Sequence, residues 1–167
     1  RAAKLTSGSF PVTLTRQDIR PMLKESVAML ENAARAKSLA LDLSIPDSPL
    51  MATVDTDKIP IVMQNLIDNA SKYTDTGSVH VSADSVGTDV VIAITDTGIG
   101  LSTEDKAHLF EKFYRNDTAK RMFTDGSGLG LFIVKKILDA HGGSVEVTSE
   151  IGTGTTFTVR VPQQKKS

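Results

Sequence analysis

The stretch that most constrains this chain is the helical pattern leading into Gln64-Asn65-Leu66-Ile67-Asp68-Asn69-Ala70-Ser71-Lys72-Tyr73. From near Thr56, at about 100° per residue, Ile59, Val62, Met63, Leu66, Ile67 and Ala70 share one apolar face that another layer must cover. Asn65, Asn69 and Lys72 form a polar stripe at the edge of that face. The stripe adds little to helix stability, because Asn is a mediocre helix former and neither of its pairs is an ion pair. It fits the solvated edge of an amphipathic helix, and it also fits a surface used by something outside the helix. A carboxamide oxygen is a hard, neutral ligand suited to Mg²⁺, which takes few protein ligands and leaves its other positions to water and phosphates. A Lys one turn on suits a phosphate as a point charge.

The layer that covers this helix is legible on both sides of it. Val12 to Leu14 is expected to form a short edge strand, and Thr15-Arg16-Gln17-Asp18 to start a helix, with Pro21 in its first turn. Ile19, Leu23, Val27 and Leu30 give that helix a face running to about Lys37. Leu39, Leu41, Leu43 and Ile45 alternate with small or polar residues as a strand, Met51 to Val54 is a shorter one, and Asp55 or Asp57 caps the central helix. Val79, Val81 and Ala83 alternate with Ser78, His80 and Ser82, and Val90 to Thr95 returns as the central strand of a hairpin. A short helix is expected over Thr103 to Phe110, and a polar, mobile loop from Arg115 to Ser127. Leu131, Val134, Ile137 and Leu138 mark a last helix stopped by Gly142-Gly143, followed by strands Ser144 to Ser149 and Thr155 to Val161. The expected fold is an α/β sandwich, a mixed and mainly antiparallel sheet of about five strands with helices on one face.

With 167 residues the chain is expected to hold one domain, residues 15–162, preceded by the end of a helix and a linker (1–14) and followed by a polar tail (163–167). It begins at Arg1, and Arg1 to Leu5 read as the tail of a helix in a longer protein. Its 19 basic and 20 acidic residues nearly cancel and form no long basic run, so the electrostatic footprint of a nucleic-acid binder is missing. Without cysteine there is no thiolate metal site, and three scattered His do not make a zinc site. The longest apolar run, Val90 to Ile94, is far too short to span a membrane, and the segment reads as soluble.

Two glycine clusters carry further chemistry. Asp96-Thr97-Gly98-Ile99-Gly100 follows the central strand. It fits an Asp-led turn, and it equally fits a carboxylate that accepts from an exocyclic amino group such as adenine N6 and repels a guanine O6, with glycines allowing close approach to a flat ring. Gly126-Ser127-Gly128-Leu129-Gly130-Leu131 feeds into the last helix, either as a flexible lead-in or as a phosphate cradle at a helix N-terminus. It lacks the Gly-Lys-Ser/Thr end of a P-loop. Phe110 and Phe113 read as core anchors, and Arg115 as a cation able to fork onto a γ-phosphate.

Taken in order, Asn65-Leu-Ile-Asp-Asn69-Ala-Ser-Lys72-Tyr73, Asp96-Thr-Gly98-Ile-Gly100, Phe110-Glu-Lys-Phe-Tyr-Arg115, Gly126-Ser-Gly128-Leu-Gly130 and Gly152-Thr-Gly154-Thr155 resemble the N, G1, F, G2 and G3 boxes of sensor histidine kinases. The resemblance implies the ATP-binding catalytic domain of a two-component kinase, in the Bergerat fold shared with gyrase, Hsp90 and MutL ATPases. It makes Asn69 the principal Mg²⁺ ligand with Asn65 beside the metal or phosphates, Lys72 and Arg115 phosphate contacts, Tyr73 a residue packed on the base, and Asp96 the partner of adenine N6. Gly98, Gly100, Gly126, Gly128, Leu129, Gly130 and Thr155 complete the implied nucleotide site, with residues 116–125 as its lid. The implied partners are a phosphoacceptor and dimerisation hairpin and a response regulator, this domain alone being monomeric and cytoplasmic, the cytosolic part of a membrane-bound sensor kinase.

The hydrolytic relatives place a Glu where this chain has Asn65, and a carboxamide is no general base, so water attack is expected to be poor. Phosphoryl transfer to a better nucleophile needs mainly positioning and charge neutralisation. That nucleophile is expected elsewhere, because His80, His108 and His141 all sit in structural settings. The rival readings are a self-sufficient ATPase of the gyrase or Hsp90 type, a related kinase acting on serine, and a non-catalytic binding module.

Overall fold

The computed structural model describes residues 11–74, 76–111 and 130–164. In chain order the elements are β1 (Thr15–Asp18), α1 (Arg20–Ala36), β2 (Leu39–Ser44), β3 (Met51–Val54), α2 (Ile59–Lys72), β4 (Gly77–Val86), β5 (Asp89–Asp96), α3 (Thr103–His108), α4 (Gly130–Ala140), β6 (Ser144–Glu150) and β7 (Gly154–Pro162). The main sheet has the order β2-β4-β5-β7-β6, and β1 pairs with β3 in a separate ribbon. Only the β2 and β4 pairing is parallel; the rest of the main sheet is antiparallel. With α1, α2 and α4 packed on one face, this is the expected α/β sandwich, and β5 is its central strand.

The core is the seam between α2 and the three middle strands. All six residues of the α2 apolar face are buried, against Val79 and Val81 of β4, Val90, Ile92 and Ile94 of β5, and Phe157, Val159 and Val161 of β7. Burying side chains of this size contributes about 1.5–3 kcal/mol each, more than the modest propensity of a helix carrying two Asn could supply. Phe110 packs edge-on to Phe157 with ring centroids 6.2 Å apart, the core anchor its sequence setting suggested.

Three boundaries in the N-terminal half differ from expectation. Val12 to Leu14 is not a strand, and Thr15-Arg16-Gln17-Asp18 is not a helix start: these four residues pair antiparallel with Val54 to Met51. Long-range pairing thus overrides a local capping signal. Helix α1 begins at Arg20 with Pro21 in its first turn, where no N–H is needed. Asp18 still serves the junction, because its carboxylate accepts from the Arg20 and Leu50 N–H groups and pairs with the Arg20 guanidinium, which holds its pKa well below the usual carboxylate range. Helix α2 begins at Ile59, not near Thr56, because residues 56–58 form a turn. Asp55, not Asp57, closes that turn by accepting from the N–H groups of Asp57 and Lys58, while its second oxygen accepts from Thr13 N–H. Burial works against its charge, but these three donors outweigh it and lower its pKa. At the other end, Gln163 donates to the carbonyls of Gly87 and Asp89 and its own carbonyl accepts from Thr53 Oγ1, so the fold continues through it.

The end of α4 is tied to the start of α2 through His141, which is buried. Its Nδ1 faces the Ile137 carbonyl at 2.8 Å, and its Nε2 accepts from Asp55 N–H at 3.0 Å. A carbonyl only accepts and an amide N–H only donates, so this ring is neutral with its proton on Nδ1. Burial lowers its pKa below the ordinary 6.5, despite the Ile137 carbonyl and Asp55. A depressed His pKa means that stability is complete above the unfolded value and declines as pH falls from there through the folded one. Urea unfolding should therefore show the His141 contribution shrinking as pH falls below the unfolded value of 6.5, and His141→Gln, which does not titrate, should flatten that slope. An unchanged slope in the variant would refute the assignment.

Candidate functional site

The polar edge of α2 emerges at the rim of the core because its apolar face is fixed against the sheet. Asn65 Nδ2 donates to the Ile61 carbonyl one turn back at 2.9 Å. Its Oδ1 is turned toward the start of α4, where a Cβ added to Gly130 would lie 2.9 Å from it. Asn69 is half-buried, and its carboxamide has no hydrogen-bond partner among the described residues. Lys72 Nζ lies 3.3 Å from Asp68 Oδ2. The pair has i, i+4 spacing with the acid first, the favoured order on a helix. Both groups are exposed, so the pair is weak and leaves Lys72 able to turn to another anion.

Asp96 closes β5 and is buried, in register between Val79 of β4 and Thr155 of β7. Its Oδ1 accepts from the N–H groups of Gly98 at 2.9 Å and Thr155 at 3.2 Å; Oδ2 receives neither. Burial raises its pKa above the ordinary carboxylate value, against the pull of the Gly98 and Thr155 N–H groups. A buried carboxylate held this way gains from any N–H donor that reaches Oδ2.

The glycines after Asp96 have a role within the fold itself. A Cβ on Gly98 would collide with the Tyr73 carbonyl, one on Gly100, at φ +77°, with the Glu150 carbonyl, and one on Gly154, at φ +138°, with the Asp96 carbonyl. They let the chain approach itself. Ile99 N–H donates to Tyr73 O at 3.2 Å and Gly152 N–H to Ile99 O at 2.9 Å. The end of α2, the loop after β5 and the β6–β7 turn are thereby laced together, so Asn69, Lys72, Tyr73, Asp96 and Thr155 belong to one neighbourhood, with Asn65 one turn further along α2. Two residues of this neighbourhood escaped the sequence reading. Thr74 is buried beside Asp96 and donates to the Ala70 carbonyl, and Ser149 is hydrogen-bonded to Thr155. A Ser and a Thr in polar surroundings give no periodic signal.

Arg115, Gly126, Gly128 and Leu129, with Phe113 and the 116–125 loop, lie outside the described residues. His80 pairs with Asp42 and His108 with Glu111, which raises the pKa of His108; both pairs are exposed. As a metal site the neighbourhood offers Asn65 Oδ1 and the Asn69 carboxamide, and among the described residues no cluster of His, Cys, Asp or Glu competes with them. Two neutral oxygens suit a cation that brings its own phosphate ligands. Among the described residues no helix is long and apolar enough to cross a membrane.

Residues 54–165 match the family described as histidine kinase-, DNA gyrase B-, and HSP90-like ATPase. The sensor protein SrrB of Staphylococcus aureus (strain MRSA252) is 43% identical over 112 residues, which are 66% of this chain and 19% of that protein. The chain thus spans about a fifth of the length of the curated relatives it matches. Among solved structures, full-length ShkA in complex with AMPPNP is similar with a TM-score of 0.80 and 30% identity, over 96% of this chain and 33% of its own. The catalytic domain of histidine kinase ThkA has the same fold, with a TM-score of 0.79 at 23% identity over 91% of this chain and 99% of its own. ThkA has also been solved in complex with the response regulator protein TrrA.

The glycine contacts carry their own test. Gly98→Ala and Gly100→Ala should each lower the thermal midpoint of the ligand-free protein by several degrees, on the order of 1–3 kcal/mol or more, because backbone must move. Gly152→Ala, with open space around it and only a φ of +86° to strain, should cost less. Equal melting of all three variants in calorimetry would show that the loop is not locked by its carbonyl contacts.

Proposed function

Because this chain belongs to the family of histidine kinase-, DNA gyrase B-, and HSP90-like ATPases, we propose that it is the ATP-binding catalytic domain of a sensor histidine kinase. It binds Mg·ATP and presents the γ-phosphoryl group to a histidine on a separate phosphoacceptor and dimerisation domain, from which a response regulator takes it. The observation that carries this reading is the buried Asp96 carboxylate with one oxygen saturated by backbone N–H groups, at the end of the helix edge that holds Asn65, Asn69 and Lys72. The two-thirds of the chain shared with a sensor protein, and ShkA's complex with AMPPNP, support it. ThkA's complex with a response regulator supports the partner.

Residues 15–162 form the nucleotide-binding unit. Asp96 accepts from adenine N6, Tyr73 packs on the base, and Thr155 with Gly98 and Gly100 shapes the pocket. Asn69, with Asn65 beside it, holds Mg²⁺, which when bound neutralises charge on the phosphates. Lys72 exchanges Asp68 for a phosphate oxygen; Arg115 and the Gly126-to-Gly130 segment take the remaining phosphate oxygens. The rival ATPase reading needs a carboxylate at position 65, and Asn65 instead spends its amide nitrogen on the Ile61 carbonyl.

The base pocket is tested by Asp96→Asn. The two N–H donors that converge on Oδ1 also fix the amide's orientation, because its oxygen must meet them, which turns the NH₂ group toward the base. A donor would then oppose the adenine amino group. ATP affinity should fall by roughly tenfold or more, while a 6-keto nucleotide such as GTP, weak against the natural protein, gains. Calorimetry in which wild type binds ATP and GTP equally would sink the assignment.

The division of labour is tested with radiolabelled ATP and Mg²⁺. Alone, the domain should acquire no stable label and release phosphate barely above background. Adding the parent's phosphoacceptor hairpin in trans should give acid-labile phosphohistidine on the hairpin, slowly, because tethering normally supplies an effective concentration on the order of millimolar. Brisk phosphate release by the domain alone would transfer it to the ATPase class.

A further inference from the structure

Ser149 lies on β6 directly opposite Thr155 of β7, which in turn lies opposite Asp96 of β5. Three groups meet at its hydroxyl. Leu101 N–H donates to Ser149 Oγ at 2.8 Å, Ser149 Oγ lies 2.9 Å from the Gly154 carbonyl, and it lies 2.7 Å from Thr155 Oγ1. A hydroxyl has one proton and two lone pairs. The carbonyl can only accept, so Ser149 spends its proton there; the Leu101 N–H can only donate. In the Ser149–Thr155 contact, Thr155 is therefore the donor. Its own proton is committed to Ser149, and toward the rest of the pocket its hydroxyl can only accept.

We propose that Ser149 is a positioning residue for base selectivity: by taking the Thr155 proton and fastening Leu101, it fixes two acceptors, Asp96 and Thr155, side by side at the edge where the base is read. Directly opposed residues of an antiparallel pair carry their side chains about 4.5–5.5 Å apart on one face, so Thr155 flanks the Asp96 carboxylate. An exocyclic amino group has two protons and suits two acceptors, whereas a 6-keto oxygen meets two like-polarity groups. Were Thr155 free to rotate, it could donate to that oxygen and blunt the discrimination. Ser149 also ties the far end of the loop from Asp96 to Leu101 to the β6–β7 hairpin. Lys106 Nζ, on the Ser149 carbonyl at 3.1 Å, braces the same strand.

The inference rests on the adenine reading of Asp96, and calorimetry with ADP and inosine diphosphate, whose base has a keto group at position 6, separates the two. In Ser149→Ala, ADP affinity should fall roughly two- to tenfold and the ADP-to-IDP preference should narrow, whereas Ser149→Thr, which keeps the hydroxyl, should restore both. In a double-mutant cycle, Thr155→Val should remove most of the effect of Ser149→Ala, because the serine acts through the threonine. If Ser149→Ala fails to fold, Ser149→Cys, similar in volume and a poor hydrogen-bond partner, is judged by the same ratios. Equal loss of ADP and IDP affinity, or additivity in the cycle, would reduce Ser149 to a structural residue and overturn the proposal. If Asp96→Asn leaves the ADP preference intact, it is the base pocket that has been misassigned; if that variant abolishes the preference while Ser149→Ala leaves the ratio unchanged, only the role given to Ser149 fails.

Discussion

Everything in this fold depends on burying one face of α2 against β4, β5 and β7. The helix carries Asn65, Asp68, Asn69 and Lys72 in its last two turns, a composition that would hold a free helix poorly. Packing against the middle of the sheet supplies the stability that the sequence of its outer edge gives up. The same packing fixes the rotation of the helix. Once Leu66, Ile67 and Ala70 are inside, the Asn and Lys side chains can only stand at the rim, beside the end of β5 where Asp96 is held.

At that rim, backbone does the work usually assigned to side chains. The Tyr73, Asp96 and Glu150 carbonyls each come so close to a glycine that a Cβ could not be accommodated, and two backbone hydrogen bonds run through Ile99. The loop is rigid by contact, and its rigidity keeps a carboxylate where burial opposes its charge. For Asp96 the sign is opposite to that of Asp18 and Asp55. A raised folded pKa means that ionised Asp96 costs stability at neutral pH, a cost relieved as pH falls through that pKa, and a donor bound at Oδ2 would offset it. On the proposed reading, that donor is the ligand's amino group.

How much was readable beforehand follows the same physics. Periodicity of 3.6 picked out every buried apolar residue of α2 before the sheet was known, though not the buried Ser71, and alternation found β4 and β5, because in both the pattern is set by one buried face. Thr15 to Asp18 were misassigned because a capping signal is local, while the β3 pairing that wins there is a contact between residues 33 to 39 positions apart. The parallel placing of β2 on β4 carries no local signature either. Asp96 was visible as a carboxylate after a buried strand; that both backbone donors share one of its oxygens was not, since hydrogen-bond direction is absent from a sequence. Gly98 and Gly100 were singled out for a flat ligand, and turned out to be needed by the protein's own carbonyls even before a ligand arrives.

The direction of hydrogen bonds also bears on why such a domain would act only with a partner. At position 65 a carboxamide donates to the Ile61 carbonyl, so the group that could otherwise orient a water is anchored to its own helix and leaves only a neutral oxygen toward the site. A carboxylate there could not make that bond at neutral pH, since it has no proton to give, and would be left to seek one from outside. The substitution of an acid by an amide therefore does two things at once: it removes a base, and it locks the residue that replaces it. On the proposed reading, the nucleotide site then polarises phosphate without activating water, and the reaction waits for a nucleophile basic enough to need no help, which a neutral imidazole brought by another domain provides.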